Sequence, residues 1–460
     1  MMARKFPANM GAAGKSFLFL LFFSFLLGLL YIFITPPWQS PDEYTHYEYI
    51  GILAQSKIFM MKQKPDYGLQ KEIIKSMDQY NIWKYIFEKP PSSLPEKYED
   101  SVVLRRSASK LNRPPLYYVM SSLVLKLFSA KNLLTKHYIV RLFSLCLSIF
   151  TILFTFLSAK IVFKGNFIYS FYCACFIAFL PEFMIISNSI NPENIVNLVG
   201  AASIYLFLFS LENFKKHSLL LIFPIVIAVA FISGREAFII IPSFILFTVI
   251  WLLKNRKSDQ LKIFILLGGA VFLVIIGYLF VFIFFKEIGM RITANFVEQA
   301  RFFLVRFFSV TYKIVLSTAF ISTLFKSFWC YPGWMAFPLP GYIYNVLVLF
   351  SLLGIFGIIK YLFAYPFKSD KKTTAKIEYI VLLSAIVFIT FVGTFLRSDP
   401  MARYTFVSLS AISILSAVGL REVIPPESSK IAIFGLICLL VILNFYTVFI
   451  HMARVFYFSY

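Results

Sequence analysis

The run SFLFLLFFSFLLGLLYIFI, residues 16 to 34, carries no charge over a length sufficient to cross a bilayer as a helix, and comparable runs recur as far as residue 450. Inside lipid each such segment must satisfy its own backbone amides, which a helix does and an open sheet cannot. The expected fold class is therefore all-α, a polytopic helical membrane protein. Composition agrees, with 59% hydrophobic and 14% charged residues and 56 phenylalanines. Arg4, Lys5 and Lys15 precede the first run as in a secretory signal, but the run is long and no small-x-small cleavage pattern follows. It reads as a retained anchor.

The net charge of +22, from 44 basic and 22 acidic residues, does not call for nucleic acid. Much of the basic charge lies in short loops between apolar runs, where the positive-inside rule puts it. The five cysteines form no CxxC and the four histidines are scattered, so neither a disulfide framework nor a zinc site is indicated.

Candidate spans are 16–34, 138–162, 167–186, 192–212, 218–234, 237–253, 263–285, 341–364, 377–396, 402–420 and 431–450. The stretch 114–130 decides the sidedness of everything after it. If it crossed, the basic loops at 213–217, 254–262 and 368–376 would all lie outside. At 1.5 Å per residue it reaches only about 25 Å, short of a core of roughly 30 Å. It is therefore expected to lie along the membrane surface, giving eleven spans. The organisation that follows is 1–34, cytoplasmic N-terminus and first span; 35–137, first extracytoplasmic loop with juxtamembrane helices; 138–285, spans two to seven; 286–340, second extracytoplasmic loop with interfacial helices; and 341–460, the last four spans and the C-terminus.

Under this topology the outward turns hold SPDE, LNRPP, SNSINPEN, GRE, WCYPGW and LRSDPMARY, whereas the inward turns are merely basic. Ionisable groups at membrane edges are costly unless paired or solvated, so their gathering on one side points to an extracytoplasmic functional cavity. Ser40 to Glu43 fits a capping box with proline at the first helical position. The same geometry leaves Asp42 ionised at a helix start, where it can act as a general base, with Glu43 beside it and His46 one turn on. Arg235 adjoins Glu236, and Arg397 and Arg403 flank Asp399 before Tyr404. Their guanidinium forks suit a lipid-linked phosphate, or else internal ion pairs. Asn188, Asn191, Glu193 and Asn194 sit at the outer mouth, with Asn191 placed as an N-cap; Trp329 and Trp334 read as an aromatic belt, with Trp334 also a candidate binding residue, as is Arg113.

Taken in order, several of these motifs resemble the GT-C membrane glycosyltransferases, among them the protein O-mannosyltransferases and the lipid A aminoarabinose transferases. The closer resemblance is to an uncharacterised bacterial family of GT-C-like polytopic membrane proteins. It rests on Pro41, Asp42, Glu43 and His46; Pro114 to Tyr118; Ser187, Ser189, Asn191, Pro192 and Glu193; Phe328, Trp329, Gly333 and Trp334; and Arg403 with Tyr404. Glu193 stands where that pattern has Asp, and Ala402 where it has Gly. The resemblance implies an inverting hexosyl- or pentosyltransferase in the plasma membrane, working on cell-envelope glycans or glycolipids. It would move a sugar from a polyprenyl-phosphate donor to a glycan, lipid or protein acceptor on the outer or periplasmic face. Asp42 would be the base, Glu43 would assist acceptor or metal binding, and Arg403 or Arg397 would hold the carrier phosphate. A divalent cation, Mg or Mn, on Asp42 and Glu43 is compatible with the same resemblance. The competing readings are a transporter or flippase for a lipid-linked saccharide, and a polysaccharide polymerase or ligase; related halves, the mark of many transporters, are not seen.

Overall fold

Long apolar runs without proline propagate as helices because each added residue closes one more backbone bond where no water competes. The computed structural model describes residues 11–56, 64–85, 93–105, 111, 113–128, 132–213, 222–254, 317–364, 376–397 and 399–458. In chain order its main helices are α1 (Ala12–Ile34), α2 (Glu43–Gln55), α3 (Tyr67–Gln79), α4 (Leu116–Lys126), α5 (Leu133–Val162), α6 (Phe167–Ala178), α7 (Pro181–Ser187), α8 (Glu193–Glu212), α9 (Phe223–Ser233), α10 (Ile240–Lys254), α11 (Thr318–Trp329), α12 (Gly341–Ala364), α13 (Ile377–Arg397), α14 (Leu409–Val423) and α15 (Ser429–Phe445). Among the described residues no strand forms.

By length and apolarity seven segments can cross a membrane: α1, α5, α8, α12, α13, α14 with the 3-10 turn that precedes it from Ala402, and α15 with its continuation to Phe458. Helices α6 and α7 make an eighth if taken as one span bent by 59° at Pro181. The expected eleven are thus not all met within the described residues. Helix α9 has 11 residues and α10 has 15, too few for a full crossing, and 263–285 lies outside the described residues, as does most of 286–340. Helix α4 is too short to cross a bilayer alone. Its 11 residues rise about 16 Å, roughly half a hydrocarbon core.

Packing between spans relies on small and hydroxyl-bearing residues, as expected where lipid removes the hydrophobic incentive to associate. A side chain at Gly357 of α12 would run into the Gly419 backbone of α14, so those helices meet at backbone distance. Thr155 of α5 and Ser410 of α14 share a hydrogen bond of 2.6 Å, and the Tyr31 hydroxyl of α1 donates to Asn444 Oδ1 of α15 at 2.9 Å. At the other end of the bundle α4 packs on α2 and α5, with Tyr117 Oη 2.7 Å from Ser144 Oγ. Helix α3 is pinned to α2 by Gln70, whose amide donates to Glu48 Oε1 at 2.8 Å. This cap of short helices seats the turn 35–42 against the bundle.

Candidate active site

The turn between α1 and α2 is built around one arginine. Arg141, two turns into α5, is fully buried and uses all five of its donors. Nε and Nη2 grip Glu43 Oε1 and Oε2 at 2.8 and 2.7 Å. Nη1 donates to the carbonyls of Ile32 and Thr35 at 3.1 and 2.6 Å, and Nη2 also donates to that of Pro36 at 3.0 Å. Glu43 accepts two further bonds, from the amides of Trp38 and Ile190, each at 3.0 Å, and His137 Nε2 lies 3.3 Å from Oε2. Burial alone would raise the Glu43 carboxyl, but Arg141 and then His137 outweigh it and hold the group well below the usual carboxylate range. Bidentate geometry and complete donor use are what make a buried pair of this kind tolerable.

Two expectations are corrected by this arrangement. The capping box does not form: Glu43 reaches the Trp38 amide, and Asp42, at the helix N-cap, has φ 60° and makes no side-chain cap. Nor does Glu43 stand beside Asp42 in the chemistry. Both of its oxygens are saturated and it does not line the cavity that Asp42 lines, so the Asp42–Glu43 pair does not fit a divalent cation. The physical reason is the left-handed backbone at Asp42, matched by Trp38 at φ 69°, which turns neighbouring side chains to opposite sides.

Asp42 faces a cavity of about 110 Å³ whose polar lining includes Gln39, Ser40, Glu182, Tyr331 and Arg403. Arg403 is nine-tenths buried, donates from Nη2 to the Tyr404 hydroxyl at 3.3 Å, and holds Nε 3.6 Å from Glu193 Oε1 without a hydrogen bond. Its donors are under-used, in contrast to those of Arg141. Behind it a charged cluster continues. Tyr404 donates to Asp399 Oδ2 at 3.3 Å, the Arg397 guanidinium lies 4.4 Å over the Tyr404 ring, and Arg397 pairs with Glu236 Oε1 at 2.7 Å. Burial opposes ionisation of Glu236, but Arg397 and then Arg113 keep its carboxyl below the usual range. Arg113 also bears electrostatically on Glu193.

The remaining candidates fall elsewhere. His46 is buried with Nδ1 2.9 Å from the Tyr118 hydroxyl, and does not line the cavity. Asn191 stands one residue before Pro192, the N-cap of α8, and its Oδ1 accepts from the Glu193 amide at 2.9 Å across that turn. Asn188 donates to the Met184 carbonyl at 2.6 Å and sits against Gly28 of α1. The side chains of Arg235 and Trp334 lie outside the described residues. Sequence reasoning missed Arg141, His137, Gln39 and Glu182. A signal existed for the first two, a His and an Arg one turn apart in an otherwise apolar segment, but starting that span at residue 138 placed Arg141 near its end. Helix α5 begins at Leu133.

Next to the polar cavity, and sharing Ala402 with it, is an apolar groove of about 470 Å³ among α11, α12, α13 and α14. Phe328, Trp329, Phe350, Phe391 and Phe395 line it, and its polar lining comes from Ser351 and Ser416.

Long apolar helices with a polar cavity among them, packed with short helices, define a polytopic helical membrane protein. The chain belongs to the family described as predicted membrane protein (DUF2142), which matches residues 25–398. No curated protein matches it. Among solved structures, the archaeal oligosaccharyltransferase AglB from Archaeoglobus fulgidus, in complex with an inhibitory peptide and a dolichol-phosphate, is similar with a TM-score of 0.52 and 13% identity, over 98% of this chain and 57% of that one. An Archaeoglobus fulgidus oligosaccharyltransferase complexed with Zn and sulfate gives a TM-score of 0.45 and 14% identity, over 92% and 52% of the two chains. This chain spans little more than half the length of those proteins, and at such identity the first likeness is one of fold.

Proposed function

We propose that this protein is a membrane glycosyltransferase that moves a sugar from a polyprenyl-phosphate carrier to an acceptor on the extracytoplasmic face. The observation that carries the reading is that Asp42 and the under-bonded Arg403 line one cavity, which adjoins an apolar groove. A lipid-linked sugar phosphate needs those three things side by side: a carboxylate, a buried cation and a channel for the isoprenoid tail. That AglB, a protein of similar fold, was solved with a dolichol-phosphate and a peptide supports a lipid-linked donor here too.

In this reading Asp42 removes the proton of the acceptor hydroxyl or amine as it attacks the anomeric carbon, and Arg403 stabilises the departing polyprenyl phosphate. The step is mainly one of positioning and charge stabilisation in a site from which water is largely excluded. Glu43 and Arg141 hold the turn that presents Asp42. The cluster of Arg397, Glu236, Arg113 and Tyr404 keeps Arg403 in place, and the Phe-lined groove takes the carrier tail.

The test is release of polyprenyl phosphate from a radiolabelled polyprenyl-phosphate sugar by purified protein in nanodiscs, alongside Arg403→Ala. Sugar transfer that drops at least about tenfold in the variant supports the reading, since a charge-assisted phosphate contact is lost. Vectorial uptake of the labelled lipid without bond cleavage would replace it with a transporter.

A further inference from the structure

Among the polar side chains of the cavity that the step just described does not use are Gln39 and Glu182. Glu182 follows Pro181 at the 59° bend between α6 and α7. Its Oε2 accepts from the Tyr331 amide at 2.7 Å, its one hydrogen bond among the described residues, and its residual exposure of 6% is to the cavity it lines. Arg403 acts on it electrostatically. Gln39 lies on the turn that carries Asp42, is 2% exposed, and has no hydrogen-bond partner for either its amide oxygen or its amide nitrogen among the described residues. Buried amides are almost always bonded, so an amide shielded from solvent and bare on both atoms beside a cavity is one whose partner is missing.

The chemistry of the two groups specifies that ligand. A carboxylate oxygen accepts only; a primary amide offers one acceptor and two donors. A sugar hydroxyl both donates and accepts, so two hydroxyls of one ring can donate a hydrogen bond to Glu182 and exchange bonds with Gln39. The Glu182 carboxylate repels a phosphate, which Arg403 serves, and neither side chain suits an isoprenoid. The cavity's volume of about 110 Å³ is on the scale of one sugar ring. Because Gln39 and Asp42 share a turn locked by Arg141, gripping the ring also registers it against the base.

We propose that Gln39 and Glu182 form the subsite that recognises hydroxyls of the transferred sugar. This rests on the function proposed above and deepens it.

The experiment compares binding of undecaprenyl phosphate and of its monoglucosyl, monomannosyl and monoarabinosyl derivatives to the full-length protein in nanodiscs. Wild-type protein should hold at least one glycosylated carrier about tenfold or more tighter than the bare carrier, the yield of two or three added hydrogen bonds. Gln39→Ala and Glu182→Gln should each shrink that ratio by about three- to tenfold while leaving bare-carrier affinity within about twofold. Glu182→Gln keeps the acceptor for the Tyr331 amide, so it tests recognition without breaking the fold; a merely structural Glu182 would move both carriers together or neither. The inference is overturned if wild type fails to distinguish bare from glycosylated carrier, or if both variants keep the full ratio. If wild type binds no carrier at all, the proposed function itself fails, which is a different result.

Discussion

Asp42 and Glu43 are neighbours in sequence and belong to two regions with opposite logic. The pair of Glu43 and Arg141 is saturated: every guanidinium donor is used and both carboxylate oxygens accept more than one bond. The region of Asp42, Gln39, Glu182 and Arg403 is under-bonded: Arg403 Nε and both amide atoms of Gln39 lack a partner among the described residues. Saturation marks a part whose task is to stay put, since a buried charge with all its partners has no capacity left for a ligand. Incomplete bonding at a cavity wall marks a part whose remaining partners arrive with the substrate. Burial does not separate the regions, because Glu43 and Glu182 are both buried.

The largest expected effect is on chemistry alone. Asp42→Asn should cut sugar transfer by about 10²- to 10⁴-fold, the usual contribution of a general base, while carrier binding and thermal midpoint stay put. Undiminished transfer would remove Asp42 as the base. Arg141→Ala is the converse case. It should lower stability by about 3–5 kcal/mol by leaving Glu43 buried and unpaired, read as a loss of monodisperse protein on heating in detergent. A variant with the wild-type melting profile would mean that the knot is dispensable.

A smaller effect concerns the contact between α2 and α3. Burial raises the Glu48 carboxyl to about 7, against the lowering effect of its hydrogen bonds from Gln70 and the Asp66 amide. A carboxyl raised in the folded state contributes stability that is complete below its unfolded pKa, near 4.5, and that is lost as pH rises through about 7. The melting temperature should therefore fall by about 2–4 °C between pH 5 and pH 8, and Glu48→Gln should flatten that slope. A slope unchanged in the variant would assign it to another group. Smallest of all is the exposed pair Lys71–Glu96, at 2.6 Å with both side chains about two-thirds exposed. Lys71→Ala should leave the melting temperature unchanged within error, as solvent-screened pairs do.

The bundle was legible in the sequence because apolar length and charge asymmetry are local, additive properties: helices α1, α5, α8, α12, α13, α14 and α15 all fall on runs visible by inspection. That 114–130 holds a helix too short to cross was legible for the same reason, from the count of residues. Asp42 and Arg403 stood out as ionisable residues at membrane edges, which few forces other than function or pairing retain. Which of those two forces applies at each position was not legible.

That choice depends on partners far apart in the chain. Glu43 became scaffold because Arg141, 98 residues on, reaches it with a full fork, and a left-handed backbone at Asp42 sent the adjacent carboxylate the other way. Gln39 and Glu182 became candidates for recognition because a turn and a bent helix meet across one small cavity. By itself the sequence determined that the chain is a helical membrane protein, since bilayer thickness and backbone hydrogen bonding act on each segment alone. Only the tertiary structure decided which polar residues are spent on one another and which face the cavity, since satisfaction of a hydrogen bond is a property of two groups and of the space between them.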